Sequence, residues 1–304
     1  MSDFCLQILG SGSAKHKKNR NQTAQYLSLH NKSFLIDCGE ATQVQMVRYS
    51  NSTSRLNHIF ISHLHGDHCF GLIGLISSLG LYGRTANLYI HAHPMLEELL
   101  RPALNYFCRD LSYSVFFEPY SHSSTEVIFE DRGLKVSVFP LKHSISSSGF
   151  LFCEKEKERH IISEKVKFFN VPVKQIPLIK QGADFVTDEG VTIPNSQLTT
   201  DPSPSLSYAY CSDTMYSEKI LPFIEGVDLL FHEATFLHSQ LPKAEATMHT
   251  TALQAAMIAE KAHVKQLMIG HFSARYDDLS PLLQEAQTIF PNTILAKDGL
   301  TVKL

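Results

Sequence analysis

Residues 63–68 read HLHGDH, three histidines and an aspartate within six positions. Imidazole nitrogens and carboxylate oxygens are the donors that hold zinc and related divalent ions. The stretch follows an apolar run, HIFIS (58–62). Alternate residues of an extended chain point the same way, so His63 and His65 share a face. Asp67 and His68 fall where the chain turns into a helix after Gly66. Packed together without an ion, these four side chains would bury charge at considerable cost. Four donors from one turn fill at most part of two metal shells. Further donors stand at the ends of other apolar runs: His143 after KVSVFPLK, Asp213 after YAYCS and His271 after QLMIG. Asp213 has two oxygens and could bridge two ions.

Those runs are the elements that must position the donors. β-branched and aromatic residues predict strands at 5–9, 25–29, 33–37, 58–62, 88–92, 135–141, 208–213, 229–234, 266–271 and 301–304. Helical stretches are expected at 40–48, 69–80, 95–107, 217–224, 250–262 and 280–289. Short loops between the early strands suggest hairpins, and each half reads as strands followed by helices. Two packed sheets with helices outside fit that order. The segment 154–206 differs. It opens on EKEKER and goes on through repeated Pro and Gly, with few core signals. It reads as an inserted, protruding arm. Its first part, 154–180, carries seven basic residues against four acidic ones, a local excess that a partner could use.

Composition limits the rest. The chain has 304 residues, 43% of them hydrophobic, enough for a sizeable core. The longest apolar run, 69–81, is too short to span a bilayer and is broken by Gly and Ser. No basic leader precedes it, so a cytoplasmic protein without a membrane anchor is expected. Six scattered cysteines form no CxxC pair and read as reduced thiols. A net charge of −3 gives no global support for nucleic-acid binding. A local basic patch can still serve, and KHKKNR (15–20) is one.

The residues resemble a known family at this point. HLHGDH is the signature of the metallo-β-lactamase superfamily. LGSGSA (9–14), IDCGE (36–40), HSISSSGFLF (143–152), CSDT (211–214), FHEATF (231–236), MHTT (248–251) and GHFSARY (270–276) follow in the order of the ribonuclease Z family, in its short bacterial form. The likeness covers nearly the whole chain. It implies an α/β fold, a four-layer αββα sandwich over 1–304, with residues 154–206 as an inserted substrate-binding arm. It implies a metal-dependent endonuclease that removes the 3′ trailer of a tRNA precursor. The alternative is a small-molecule phosphodiesterase or other hydrolase on the same scaffold.

The resemblance assigns one ion to His63, His65 and His143 and another to Asp67, His68 and His271, with Asp213 bridging. Two Zn²⁺ per subunit are the expectation, with Mn²⁺ or Co²⁺ as substitutes. Asp67 would orient or deprotonate the attacking water. His249 and Glu233 match the family's proton-donating pair, and Ser273 and Arg275 match positions near the scissile phosphate. Lys15, Lys17, Lys18 and Arg20, at the expected rim of the site, are candidate RNA contacts, as are Lys165, Lys167 and Lys174 in the arm. A homodimer is implied. Two places depart from the family pattern: KHKKNRNQT (15–23) lacks the usual Pro and Thr before its Arg, and IPLIKQGADF (176–185) replaces a Gly-Pro-rich basic tip. His232 reads as structural, and His16, His30, His122, His160, His238 and His263 as surface or loop residues, with His91 and His93, alternating on one strand, as a candidate spare site.

Overall fold

The structure is a computed structural model that describes residues 4–304. Two seven-stranded sheets dominate it. The first opens as an antiparallel meander of β1 (Cys5–Gly10), β2 (Ala24–Leu29) and β3 (Lys32–Ile36), and β4 (Leu56–Phe60), β5 (Leu88–Ala92) and β6 (Val115–Pro119) then add in parallel. Parallel neighbours need crossovers. The helices α1 (Thr42–Arg48), α2 (Gly66–Cys69), α3 (Leu72–Leu81) and α4 (Met95–Phe107) supply them. Within this sheet, hairpins are thus confined to the first three strands, fewer than the short loops suggested.

The second sheet begins with β7 (Glu126–Glu130), β8 (Leu134–Pro140) and β9 (Ser148–Glu154). The next segment contains β10 (His160–Ile161), α5 (Ser163–Phe168), α6 (Ile176–Lys180), β11 (Phe185–Val186), β12 (Thr192–Ile193), α7 (Asn195–Leu198) and β13 (Thr199–Thr200). The chain then re-enters the second sheet with parallel strands β14 (Ser207–Cys211), β15 (Leu229–Glu233), β16 (Leu267–Gly270) and β17 (Thr293–Leu295). Their crossovers carry α8 (Leu221–Ile224), α9 (Leu241–Ala246), α10 (Ala252–Lys261) and α11 (Ser280–Gln287). Last, β18 (Thr301–Lys303) returns to the first sheet and pairs antiparallel with β1.

Aromatic side chains join the sheets. Phe60 meets Phe150 and Phe152 with ring centroids 5.6 and 5.4 Å apart, and Phe34 meets Phe152 at 6.2 Å. All four are fully buried, each worth about 1.5–3 kcal/mol of transfer free energy. On the outer face of the first sheet, Leu75, Ile76 and Leu79 of α3 pack over Ile59 and Ile90. On that of the second, Ala252, Ala255, Ala256 and Ala259 of α10 pack over Leu230, Leu267 and Ile269. The layers therefore run helix, sheet, sheet, helix. Helix α10 is fixed at its start by a capping box between Thr251 and Gln254.

Four strands of the two large sheets, and the four short strands β10 to β13, lie outside those the sequence predicts. β6 and β7 are short, partly exposed edge strands, and β17 has three residues. β9 follows the His143 loop so closely that its Ser and Gly read as loop. The expected helix 69–80 breaks into α2 and α3 at Phe70–Gly71. A Cβ on Gly71 would lie 2.1 Å from the Gly39 carbonyl oxygen, so close backbone approach fixes that break.

The chain divides into two compact units. The sandwich comprises Lys135–Cys153, Leu206–Leu304 and the described part of Met1–Glu130; the other unit comprises Asp131–Leu134 and Glu154–Ser205. The second unit has its own small core of Val171, Ile179, Phe185, Ile193 and Leu198, against the expectation of few core signals. Its buried Asn195 donates to the carbonyls of Ile179 and Ala183, both at 2.7 Å, and so closes this core.

In the sandwich, Asp298 ties the N-terminal loop to the C-terminal end of the chain. Its Oδ1 accepts from the Ser11 amide (3.0 Å) and hydroxyl (2.7 Å), and its Oδ2 from the Asn21 amide (2.7 Å) and side chain (2.8 Å).

Candidate metal centre

The candidate ligands stand at the carboxyl ends of sandwich strands, the edge where open α/β sheets place their sites. His63 and His65 lie on the loop after β4, and Asp67 and His68 on α2. His143 is in the β8–β9 loop, Asp213 follows β14 and His271 follows β16. His271 adopts φ +59°, a backbone cost of order 1–3 kcal/mol that a tight surrounding structure must hold.

The donor atoms form two sets that share one carboxylate. In the first, His63 Nε2 and His143 Nε2 lie 3.1 and 3.2 Å from His65 Nδ1, and 3.6 and 3.7 Å from Asp213 Oδ2. In the second, His68 Nε2 and His271 Nε2 lie 3.5 and 3.3 Å from Asp67 Oδ2, and 3.5 and 3.2 Å from Asp213 Oδ1. Donors bound tetrahedrally to zinc at about 2.0–2.1 Å are themselves about 3.3–3.4 Å apart. Both sets have that spacing. Among the described residues, His68 Nε2 and Asp213 Oδ1 are buried without a hydrogen-bond partner. Such atoms are costly unless a further group fills the space between them. The residues fit a metal centre.

Partners behind the ligands set which imidazole nitrogen is free. Asp37, fully buried at φ +56°, accepts from His68 Nδ1 (2.7 Å), the Tyr210 hydroxyl (2.6 Å), and the Ser62 amide (2.7 Å) and hydroxyl (2.8 Å). A proton on His68 Nδ1 leaves Nε2 as a donor. His143 Nδ1 donates to the Met248 carbonyl at 2.9 Å. The Thr235 hydroxyl donates to Glu233 Oε2 (2.7 Å) and accepts from His271 Nδ1 (2.9 Å). Neither Asp37 nor Thr235 stood out in the sequence, although IDCGE and FHEATF contain them.

Glu233 ends β15 in full burial, and its Oε1 lies 2.8 Å from His249 Nδ1. The Thr214 and Thr235 amides donate to its two oxygens, at 3.1 and 3.0 Å. Burial opposes the charge on His249, but Glu233, through charge and hydrogen bond, and Asp213 raise its pKa to about 9. Glu233 thus holds this ring in place beside the donor sets. His249 lines a cavity of about 510 Å³ with His65, Asp67, Asp213, His271 and Ser273. Three cationic side chains reach that cavity: Lys15, Arg275 and Lys243, the last unremarked in the sequence.

The four cations of 15–20 are not equivalent. Lys15 and Lys18 are exposed. Lys17 instead donates to the carbonyls of Ala274 (2.9 Å) and Tyr276 (2.7 Å) and pairs with Asp277 at 2.6 Å. Arg20 is buried and donates to the carbonyls of Ser273 (3.3 Å) and Tyr276 (3.1 Å). These two hold the 272–277 loop from below, which corrects their reading as RNA contacts. Arg275 lies over the Phe236 ring at 4.9 Å and bonds Gln240 at 3.0 Å. Lys165, Lys167 and Lys174 are exposed in the second unit. The spare site is not assembled: His91 pairs with His58 Nδ1 at 3.1 Å and stacks on Phe60, while His93 packs against His122.

A family model described as anti-Pycsar protein Apyc1 matches residues 4–177. Similarity to curated proteins extends further. The ribonuclease Z of Bacteroides fragilis is 54% identical over 304 residues, all of both chains. That of Bacteroides thetaiotaomicron is 53% identical over all of this chain and 96% of its own. The chain belongs to the ribonuclease Z family. Residues 4–177 belong to the Apyc1 family as well, so five of the seven candidate ligands, His63 to His143, lie in a stretch common to both. Human tRNase Z, short form, shares the fold, with a TM-score of 0.71 at 22% identity over 98% of each chain. Membership in the ribonuclease Z family makes the protein a hydrolase. Among the described residues no helix is long and apolar enough to cross a membrane.

Proposed function

We propose that the protein is a metal-dependent endoribonuclease that cuts the 3′ trailer from tRNA precursors, leaving a 3′-hydroxyl on the tRNA and a 5′-phosphate on the trailer. The observation that carries this is the conjunction, in a ribonuclease Z family member, of two donor sets sharing Asp213 with a buried Glu233 paired to His249 beside them.

His63, His65, His143 and Asp213 would hold one ion, and Asp67, His68, His271 and Asp213 the other. Zinc suits the donor set, with Mn²⁺ or Co²⁺ able to replace it. Bound there, the ions supply Lewis-acid charge to the phosphodiester and acidify water. Asp67 orients the attacking water through its second oxygen. Glu233 fixes the rotamer of His249 and keeps it protonated. His249 gives its proton to the departing 3′ oxygen, a contribution of about 10²–10⁴-fold. Lys15, Lys243, Arg275 and Ser273 flank the cleaved phosphate, and Lys18 adds charge nearby. Lys165, Lys167 and Lys174 of the second unit, the inserted arm, contact the body of the tRNA. The enzyme works in the cytoplasm as a homodimer, with exposed Val44, Val47, Leu81 and Leu99 available for the contact; sedimentation velocity checks the dimer.

The test is cleavage of a tRNA precursor with and without chelator, beside His65→Ala. Release of an intact trailer, abolished by chelator and by the substitution, is expected. Turnover of a small phosphodiester with no cleavage of precursor would replace this function with that of a small-molecule phosphodiesterase.

A further inference from the structure

We propose that a groove beside His143 is the channel for the trailer and takes the single-stranded RNA immediately downstream of the cut; this rests on the endoribonuclease function above. The groove is a cavity of about 810 Å³, walled by His122, Lys142, Ser144, Ser146, Ser217 and Lys219 next to His143. It reaches the donor sets through His143, whose Nε2 is 3.2 Å from His65 Nδ1. His249 lines a different cavity, with Lys15, Lys243 and Arg275.

The chemistry gives the two cavities a direction. His249 protonates the departing 3′ oxygen, so the tRNA end lies in the His249 cavity. The cleaved phosphate stays with the trailer, and the strand beyond it runs away from His249. The groove beside His143 is a second cavity at the donor sets, and His249 is not among its lining residues.

Its lining suits a nucleic-acid strand. Lys142 and Lys219 are exposed and, among the described residues, have no carboxylate partner. Two ammonium groups match two successive phosphates. The hydroxyls of Ser144, Ser146 and Ser217 suit sugar hydroxyls and base edges. His122 Nδ1 bonds the Ser148 hydroxyl at 2.8 Å, and its Nε2 is buried without a hydrogen-bond partner among the described residues. No Phe or Tyr is among the lining residues, so the channel tracks the backbone and tolerates many trailer sequences. The wall is rigid. Leu141 donates to the Ser147 carbonyl (3.0 Å), Lys142 N–H to Thr214 Oγ1 (3.1 Å), and Met215 to the Lys142 carbonyl (2.8 Å). Lys142 is therefore held one residue from His143 and tied to the residues that follow Asp213.

The experiment uses tRNA precursors with trailers of one, four and eight nucleotides, some carrying 4-thiouridine at the second trailer position. Crosslinks are expected at 142–146 or 217–219. Lengthening the trailer from one to four nucleotides should raise kcat/KM by about five- to tenfold, and K142A/K219A should lose that gain. The salt slope for the eight-nucleotide trailer should fall by about 1.4, or 0.7 per phosphate. Crosslinks confined to Lys15, Lys243 or 273–275, or a gain and slope that survive the double substitution, overturn the channel. If the native protein cuts none of these precursors, the endoribonuclease function itself fails and the channel falls with it, an outcome distinct from cleavage with the label elsewhere.

Discussion

The hydroxyl of Thr235 stands between a buried carboxylate and a metal-ligand candidate. Because it donates to Glu233, His271 must carry its proton on Nδ1 and present Nε2. Thr235→Val keeps the shape and removes this constraint. It should lower metal affinity about 10–100-fold, measured by competition with a chelator, and Thr235→Ser should restore it. Equal affinity in all three proteins would show that the hydroxyl does not govern His271. At this scale the sequence speaks unevenly. HLHGDH is legible because dense His and Asp have few other uses. Asp37 and Thr235 are not, since their residue types are common and their partners lie 31 and 36 positions away.

The loop 272–277 owes its shape to two cations that arrive from the other end of the chain. Arg20→Met would strip charged donors from the Ser273 and Tyr276 carbonyls and should cost about 1–3 kcal/mol of stability, read by urea unfolding. It should leave the salt dependence of precursor binding alone. Lys15→Ala with Lys18→Ala should do the reverse and flatten that dependence by about 1–2 in slope. A flatter slope in Arg20→Met would return Arg20 to the RNA surface. No rule of local patterning separates Lys17 and Arg20 from Lys15 and Lys18, because only the turn of the loop decides which side chains face inward. Among the elements, β4, β14, β15 and β16 were legible as apolar runs because both their faces are covered. β6 and β7 have exposed positions and edge residues, so no clean period marks them.

Across the whole sandwich, acid should act through its interior as well as its metal centre. His91 is held down to about 3, first by burial and then by His58, against an ordinary value near 6.5. Between these values the unfolded chain binds a proton at this site that the folded chain does not. Stability should therefore fall as pH drops from about 6.5 toward 3, with a slope from this group of up to about 1.4 kcal/mol per pH unit. Urea unfolding at pH 4–7 should show a shallower slope in His91→Asn, and an unchanged slope would remove His91 from the account. The overall αββα order was legible from the alternation of elements and from the family likeness. The small core of the second unit was not, because its five apolar residues are spread over 28 positions without a period.

The clamp at Asp298 has a consequence for when the enzyme can begin to work. The loop that carries Lys15 and Arg20 leaves the ribosome 277 residues before the carboxylate that anchors Asn21. Until Asp298 has been made, and β18 after it beside β1, a ribosome translating this chain carries an unfinished nuclease, with the ligands of residues 63–143 already made and the rim of the cleft still slack. Cutting should switch on only once that late segment has docked.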